Sequence, residues 1–330
     1  MSFSKTPKFL LLRFSSIGDI VLSSPVVRCL KQQIPGAEVH FATKIQYRFL
    51  VEPNPYVDRV FLLDNSLTDL ANQLKAGQYD AIIDLHNNLR TRHLGWLMGG
   101  RIPTYRFDKL NWEKWLLVNL KINRLPDQHL VDRYLKTVEA FGVRNDHRGL
   151  DYFIPEQDEV PLETLPETHQ NGYVAFAIGG QHETKKLPVA RMIKLCQKIG
   201  GPIVLLGGNE DAANGQRIAN QVKSAHNACG ALNFNQSASL VRQARVVYTH
   251  DTGLMHVAAA FKKRVVSIWG NTVPGFGMYP YQTDFAAWQV NGLSCRPCSK
   301  IGHQKCPQGH FKCMNDQALD VAATERERGW

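Results

Sequence analysis

Thr249-His250-Asp251-Thr252-Gly253-Leu254-Met255-His256 combines residue types that can hold a phosphate. It follows an apolar run, Arg245 to Tyr248, that reads as a strand, and it opens a small-residue helix over Val257 to Phe261. A strand that stops at Asp-Thr-Gly and turns directly into a helix leaves backbone N–H groups unpaired at the helix's positive end. Phosphate is attracted to such an end, and Gly253 lets it approach the backbone closely. The plainer reading makes Asp251 or Thr252 an ordinary N-cap.

A second cluster lies near the C-terminus. Cys295-x2-Cys298-x7-Cys306-x6-Cys313 gathers four of the seven cysteines into one proline- and glycine-rich segment, 295–313. In a reducing compartment such clustering points to metal before disulfides, and four thiolates around a structural zinc would brace a loop with little core of its own. His303 and His310 are candidate substitutes for one ligand. The spacing is not that of two Cys-x2-Cys knuckles, and free thiols are the alternative. Cys29, Cys196 and Cys229 read as apolar filler.

The net charge of +10 points to anionic partners. Between His86 and Arg124 lie Arg90, Arg92, Arg101, Arg106, Lys109, Lys114, Lys121 and Arg124, opposed only by Asp108 and Glu113. Trp96, Trp112, Trp115, Tyr105 and Phe107 are interleaved with them. That mixture suits anionic lipid headgroups and amphipathic substrates, and also single-stranded nucleic acid. A solvated helical face over some core tryptophans is the blander alternative.

The elements that must position these groups read as two α/β units. In 330 residues, 44% hydrophobic and 21% charged, there is room for two ordinary domains in a soluble globular chain. No apolar run approaches a bilayer span, and Phe9-Leu10-Leu11-Leu12 is too short for a signal-peptide core. A cytoplasmic location is therefore expected. The first unit opens with a strand over 9–14, the loop Ser15-Ser16-Ile17-Gly18-Asp19 and a helix over 20–33, followed by strands over 38–42, 59–63 and 81–85. The second restarts with a strand at 173–178 and the turn Gly179-Gly180. It continues with a helix over 188–199, a strand over 202–206, the turn Gly207-Gly208-Asn209, a helix near 211–222 and strands over 245–248 and 264–268. Alternation of this kind predicts doubly wound parallel sheets. Pro155 to Asn171, with three prolines among acidic residues, reads as a linker. Two such units facing a central cleft would hold ligands between their sheet edges. The expected domains are 1–165 and 166–330.

Taken together and in order, Phe14-Ser15-Ser16-Ile17-Gly18-Asp19, Asp84-Leu85-His86-Asn87-Asn88 and Asp251-Thr252-Gly253-Leu254-Met255-His256 resemble the bacterial lipopolysaccharide heptosyltransferases, glycosyltransferase family nine. Ser267-Ile268-Trp269-Gly270-Asn271-Thr272 strengthens the resemblance, which spans nearly the whole chain. It implies a GT-B fold of two Rossmann-like domains. It also implies metal-independent, inverting transfer of a sugar, most often from ADP-heptose, to an inner-core acceptor. The N-terminal half would hold that phosphorylated lipid or oligosaccharide acceptor and the C-terminal half the nucleotide-diphosphate sugar.

Inverting transfer needs a base for the acceptor hydroxyl and positive charge for the leaving diphosphate. Asp19 matches the family's proposed base, the alternative being a simple cap for the helix that follows. Acceptor contacts fall to Ser15, Ser16, Gly18, His86, Asn87 and Arg90. Lys185 has the spacing to Pro188 of the family's phosphate-contacting lysine, with Lys186 a close competitor. Donor contacts would also come from Asp251, Thr252, Gly253 and Leu254. His256 either faces the diphosphate or is a core histidine. Glu210 and Asp211 stand where an acidic residue would receive ribose hydroxyls. The family's catalysis calls for no cofactor. The whole reading places the protein against the anionic inner membrane, with no nucleic acid as partner. Its rivals are a GT-B epimerase or hydrolase without a lipid acceptor and, ranked last, a nucleic-acid-binding protein. The tail from Met314 to Trp330 reads as too short for a long closing helix.

Overall fold

The computed structural model describes residues 6–322, so much of that tail, from residue 323 onward, lies outside the described residues. Two compact units emerge, one formed by Met1–Lys109 with Gln128–Phe153 and the other by Leu110–Asp127 with Ile154–Trp330.

In the first unit, strands β1 (Lys8–Leu12), β2 (Glu38–Lys44), β3 (Arg59–Leu63), β4 (Ala81–Asp84) and β5 (Thr104–Arg106) form one sheet in the order β3-β2-β1-β4-β5. Every pairing is parallel. Helices cover parallel sheets on both faces, so their strands are apolar throughout rather than alternating. Phe9, Leu10, Leu11 and Leu12 are accordingly all buried. Leu10 and Leu12 join Phe61, Leu63, Leu70, Leu74 and Leu94 in one core. The helix expected over 20–33 is two helices, Ile17–Val21 and Ser24–Gln33. Pro25, in the first turn of the second, has no N–H to extend the first.

The second unit carries β6 (Val174–Ala177), β7 (Ile203–Leu206), β8 (Ala225–Asn227), β9 (Val246–His250), β10 (Arg264–Trp269) and β11 (Phe285–Gln289), all parallel, in the order β11-β10-β9-β6-β7-β8. Its core joins Phe176, Leu205, Tyr248 and Ile268 to Leu195 and Ile218 from the flanking helices and to Met314 and Leu319. The stretch read as a linker is tied down. Asp158 accepts hydrogen bonds from Asn233 and Asn235, and Glu159 from Ser239 and Arg242, around the helix Phe234–Gln243.

Both sheets reverse their winding next to the first strand. The chain leaves β1 towards β2 and β3, then returns to place β4 on the other side of β1. In the same way β9 returns to the far side of β6 after β7 and β8. At such a reversal the loops leaving the two central strands diverge and open a crevice at the carboxyl ends. The loops after β1 and β4, and those after β6 and β9, carry the chemistry-bearing motifs.

No helix among the described residues is long and apolar enough to cross a membrane.

Candidate functional site

In the second unit the site is built on the loop after β9. Asp251 follows the strand directly, and Thr252 is the extended residue before the helix Gly253–Ala260. Thr252 makes no side-chain capping bond, so the ordinary N-cap reading does not describe this helix end. The Met255 N–H donates back to the Thr252 carbonyl at 3.2 Å, so an outside acceptor would meet the N–H groups of Gly253 and Leu254. Leu254 and His256 are buried on the helix, His256 at 2% exposure.

Lys185 comes from the loop after β6. Its Nζ lies 2.7 Å from Asp251 Oδ2 and donates to the Asp251 carbonyl at 3.2 Å. The Thr272 hydroxyl, beyond β10, donates to the same Asp251 oxygen at 2.8 Å. An ammonium is thereby held beside the open helix end. Lys186 behaves differently. It is buried, with its Nζ 2.5 Å from Glu183 and 3.5 Å from Asp211. Burial opposes its charge, but those two carboxylates outweigh burial and hold the ammonium above its ordinary value. Lys186 thus pairs with the exposed Glu183 and the buried Asp211, whereas Lys185 pairs with Asp251 just before the helix.

Asp211 is buried and accepts from the Gly208 N–H as well, whereas Glu210 is exposed. A Cβ on Gly179 would run into the Asp211 carboxylate, which is why the turn after β6 needs glycine there. His250, at the end of β9, accepts the Leu187 N–H through Nε2 at 3.0 Å. Its burial pushes the imidazole down to about 3, so it is neutral at physiological pH.

Of the two readings of the cysteine segment, zinc centre and free thiols, the structure does not support the first. Among the described residues, no group of three or more His, Cys, Asp or Glu side chains is placed to hold a metal ion. Cys313 belongs to the apolar core, where burial pushes its thiol up to about 12, and Cys295 Sγ approaches His310 Nε2 at 3.8 Å. The bracing assigned to zinc is done by other residues. The Arg296 guanidinium donates to the carbonyls of Gly270, Thr272 and Val290. The His303 N–H donates to Thr184 Oγ1 at 2.8 Å, and Thr184 N–H donates back to the His303 carbonyl at 3.1 Å. The segment therefore straps the loops that carry Lys185 and Thr272.

In the first unit, Asp19 sits on the helix Ile17–Val21 just after β1. Its Oδ2 accepts from the Ser16 N–H at 3.1 Å and the Ser16 hydroxyl at 2.8 Å, so it does close a capping box. Its Oδ1 also lies 2.6 Å from the Arg13 guanidinium, which capping alone does not require. Burial would raise the Asp19 carboxyl, but Arg13 and the two Ser16 donors overcome it and hold the group below the ordinary carboxylate range. Arg13 is itself buried, donates to the Leu85 carbonyl and lies over the Tyr134 ring at 5.8 Å. Burial, reinforced by Arg13 and Lys109, pushes the neighbouring His86 down to about 4.

Asp84, at the end of β4, organises the loop that follows. It accepts from the backbone N–H groups of His86 (3.1 Å) and Asn87 (2.7 Å) and from the Thr91 hydroxyl (2.8 Å). Asn87 takes the left-handed conformation that this turn demands and donates to the Phe107 carbonyl. Ser15, Ser16, His86 and Asn87 lie in the loops after β1 and β4 and Gly18 on the short helix Ile17–Val21, whereas Arg90 is exposed on the next helix, Leu89–Leu97. Arg13 and Tyr134 escaped the sequence reading. Arg13 lay inside the run taken as strand, and Tyr134 reaches the site only through folding.

Residues 67–308 match the family model for glycosyltransferase family 9 (heptosyltransferase). The chain belongs to that family. Across 301 residues it is 26% identical to lipooligosaccharide heptosyltransferase 2 of Haemophilus ducreyi, covering 82% of this chain and 85% of the relative. The solved family 9 glycosyltransferase of Veillonella parvula superposes with a TM-score of 0.71 at 22% identity over 85% of each chain. The Escherichia coli heptosyltransferase WaaC, solved with ADP-2-deoxy-2-fluoro heptose, superposes with a TM-score of 0.67 at 19% identity, covering 97% of this chain and 99% of that one. The fold of this family 9 glycosyltransferase is GT-B.

Proposed function

We propose that the protein transfers heptose from ADP-heptose to a lipopolysaccharide inner-core acceptor with inversion at the anomeric carbon, at the cytoplasmic face of the inner membrane. The donor is held by residues 166–330 and the acceptor by residues 1–165. The acceptor hydroxyl oxygen forms its bond to the anomeric carbon as the bond from that carbon to the diphosphate oxygen breaks. The electron pair leaves with the diphosphate, and the hydroxyl proton passes to Asp19.

The observation that carries this reading is Lys185 beside the uncapped helix end at Thr252-Gly253. Backbone N–H groups and one ammonium stabilise the charge that develops on the leaving diphosphate. This chain's residues thus supply electrostatic stabilisation without calling for a metal. On this reading Asp251 meets sugar hydroxyls and Glu210 those of the ribose. Asp19, held ionised by Arg13, is in the proton-accepting form throughout the physiological range.

Isothermal titration of wild type and Lys185→Ala with ADP, ADP-heptose, UDP-sugars and GDP-sugars, chelator present, tests the reading. Adenine nucleotides are expected to bind wild type and to bind the variant more weakly. No heat with any nucleotide diphosphate, from folded protein, would remove the transferase reading.

A further inference from the structure

The basic, aromatic stretch from His86 to Arg124 is not one surface. Residues 110–127 leave the first unit and belong to the second. There they form a helical run, Asn111–Trp115 continued by wider turns over Leu116–Leu120, that lies along the cysteine segment. Lys121 Nζ donates to the carbonyls of Val118, Cys295 and Pro297, and Lys300 Nζ donates to the Asn111 carbonyl at 3.4 Å. These bonds fix two chain segments side by side.

What the paired segments present is unusual for a water-facing surface. Trp112 is 63% exposed and Trp115 42%, and their rings stack at 5.3 Å with planes 7° apart. Leu120 (53%), Ile122 (45%) and Ile301 (63%) are exposed on the same two segments. Single exposed apolar residues are ordinary, but a group of this size marks a contact surface. Lys114, Lys121, Arg124 and Lys300 accompany them, against Glu113 and Asp127.

We propose that the Trp112–Ile122 segment together with Lys300 and Ile301 docks the protein onto an anionic lipid bilayer. Indole rings favour the headgroup level, where an apolar body meets a polar rim. Leucine and isoleucine side chains gain by entering the acyl boundary, and they have no comparable partner on a sugar or a nucleotide. Lysine and arginine charges meet the negative surface potential of anionic lipid. The inference deepens the proposed function by naming the surface that brings the enzyme to a lipid-borne acceptor. It also assigns that surface to the second unit, which Leu110–Asp127 joins.

The test is co-sedimentation of the full chain with vesicles made of equal parts phosphatidylglycerol and phosphatidylcholine, and with phosphatidylcholine vesicles alone. ADP titration of the same samples monitors the donor fold. Wild type is expected to sediment with the anionic vesicles and to stay in solution with the neutral ones. Lys300→Glu reverses one charge and is expected to weaken binding about 30-fold. Trp112→Ala/Trp115→Ala is expected to weaken it by more than about tenfold, with loss of indole quenching by brominated acyl chains. Failure of folded wild type to bind anionic vesicles would overturn the proposal, as would undiminished binding by both variants. Binding of a soluble core oligosaccharide through the tryptophan pair, with no vesicle binding, would make the patch a sugar platform instead. Vesicle binding without ADP binding would sink the transferase reading and leave the docking surface standing.

Discussion

Lys185→Ala separates a donor-binding lysine from a merely structural one. In wild type the ammonium is mostly buried, at 17% side-chain exposure, and its partner Asp251 is at 9%. A charged hydrogen bond contributes about 1.5–3 kcal/mol, or roughly 10- to 150-fold in Kd. Asp251 already satisfies part of the Lys185 charge before any ligand arrives, so the lower end applies. ADP affinity is expected to fall about 10- to 30-fold. The same truncation strands the Asp251 carboxylate and costs about 1–3 kcal/mol of stability, visible as a lower Tm. Lys185→Ala/Asp251→Asn removes the stranded charge, and the asparagine oxygen can still accept from Thr272. In this double variant Tm is expected to recover while ADP affinity does not. Isothermal titration and thermal unfolding on the three proteins provide both readouts. Wild-type ADP affinity in Lys185→Ala, or its recovery in the double variant, would refute the reasoning.

Other consequences are as sharp. Asp19→Asn is expected to lower turnover by about 10²- to 10⁴-fold and leave ADP binding intact, measured by titration beside an ADP-release assay. Arg13→Met removes the charge that holds Asp19 ionised, so the acid limb of the pH–rate profile should move upward; an unmoved limb would show that Arg13 does not tune the base. His86 and His250 have folded values near 4 and 3, well below the unfolded value of about 6.5. The unfolded chain therefore binds their protons first as pH falls, and Tm should drop between about pH 6.5 and 4. His250→Gln, which can still accept the Leu187 N–H, should flatten that drop. Gly179→Ala drives a methyl group into the Asp211 carboxylate and should cost about 1–3 kcal/mol in denaturant unfolding.

Much of the fold was legible because parallel strands buried on both faces are written as apolar runs. Phe9–Leu12 and Ile203–Leu206 needed no partner to be recognised. Thr104–Arg106 and Ala225–Asn227 were missed because they are three residues long and largely polar, and Phe285–Gln289 because alanines at its centre are poor strand formers; only pairing with β4, β7 and β10 makes them strands. At the site, Asp19, Asp251, Thr252 and Gly253 could be seen because a loop that follows a strand and opens a helix has a local signature. Arg13 and Tyr134 had none, and Asp84, quoted within its run, carried no sign of the donors it gathers. Their importance comes from what surrounds them: a carboxylate 2.6 Å away, three donors converging on one buried acid, a ring beneath a guanidinium. The cysteine segment shows the opposite failure. Its clustering suggested metal, against a spacing that did not, while the bonds that fix it come from Arg296 and His303.

The most direct measurement is product analysis by mass spectrometry and anomeric NMR, after incubation of the protein with ADP-heptose and heptose-deficient lipopolysaccharide. Addition of one heptose with inverted anomeric configuration, matched by ADP release and lost in Asp19→Asn, is the expected result. ADP release with only free sugar as the other product, or an acceptor unchanged in mass while ADP-heptose binds, would contradict it.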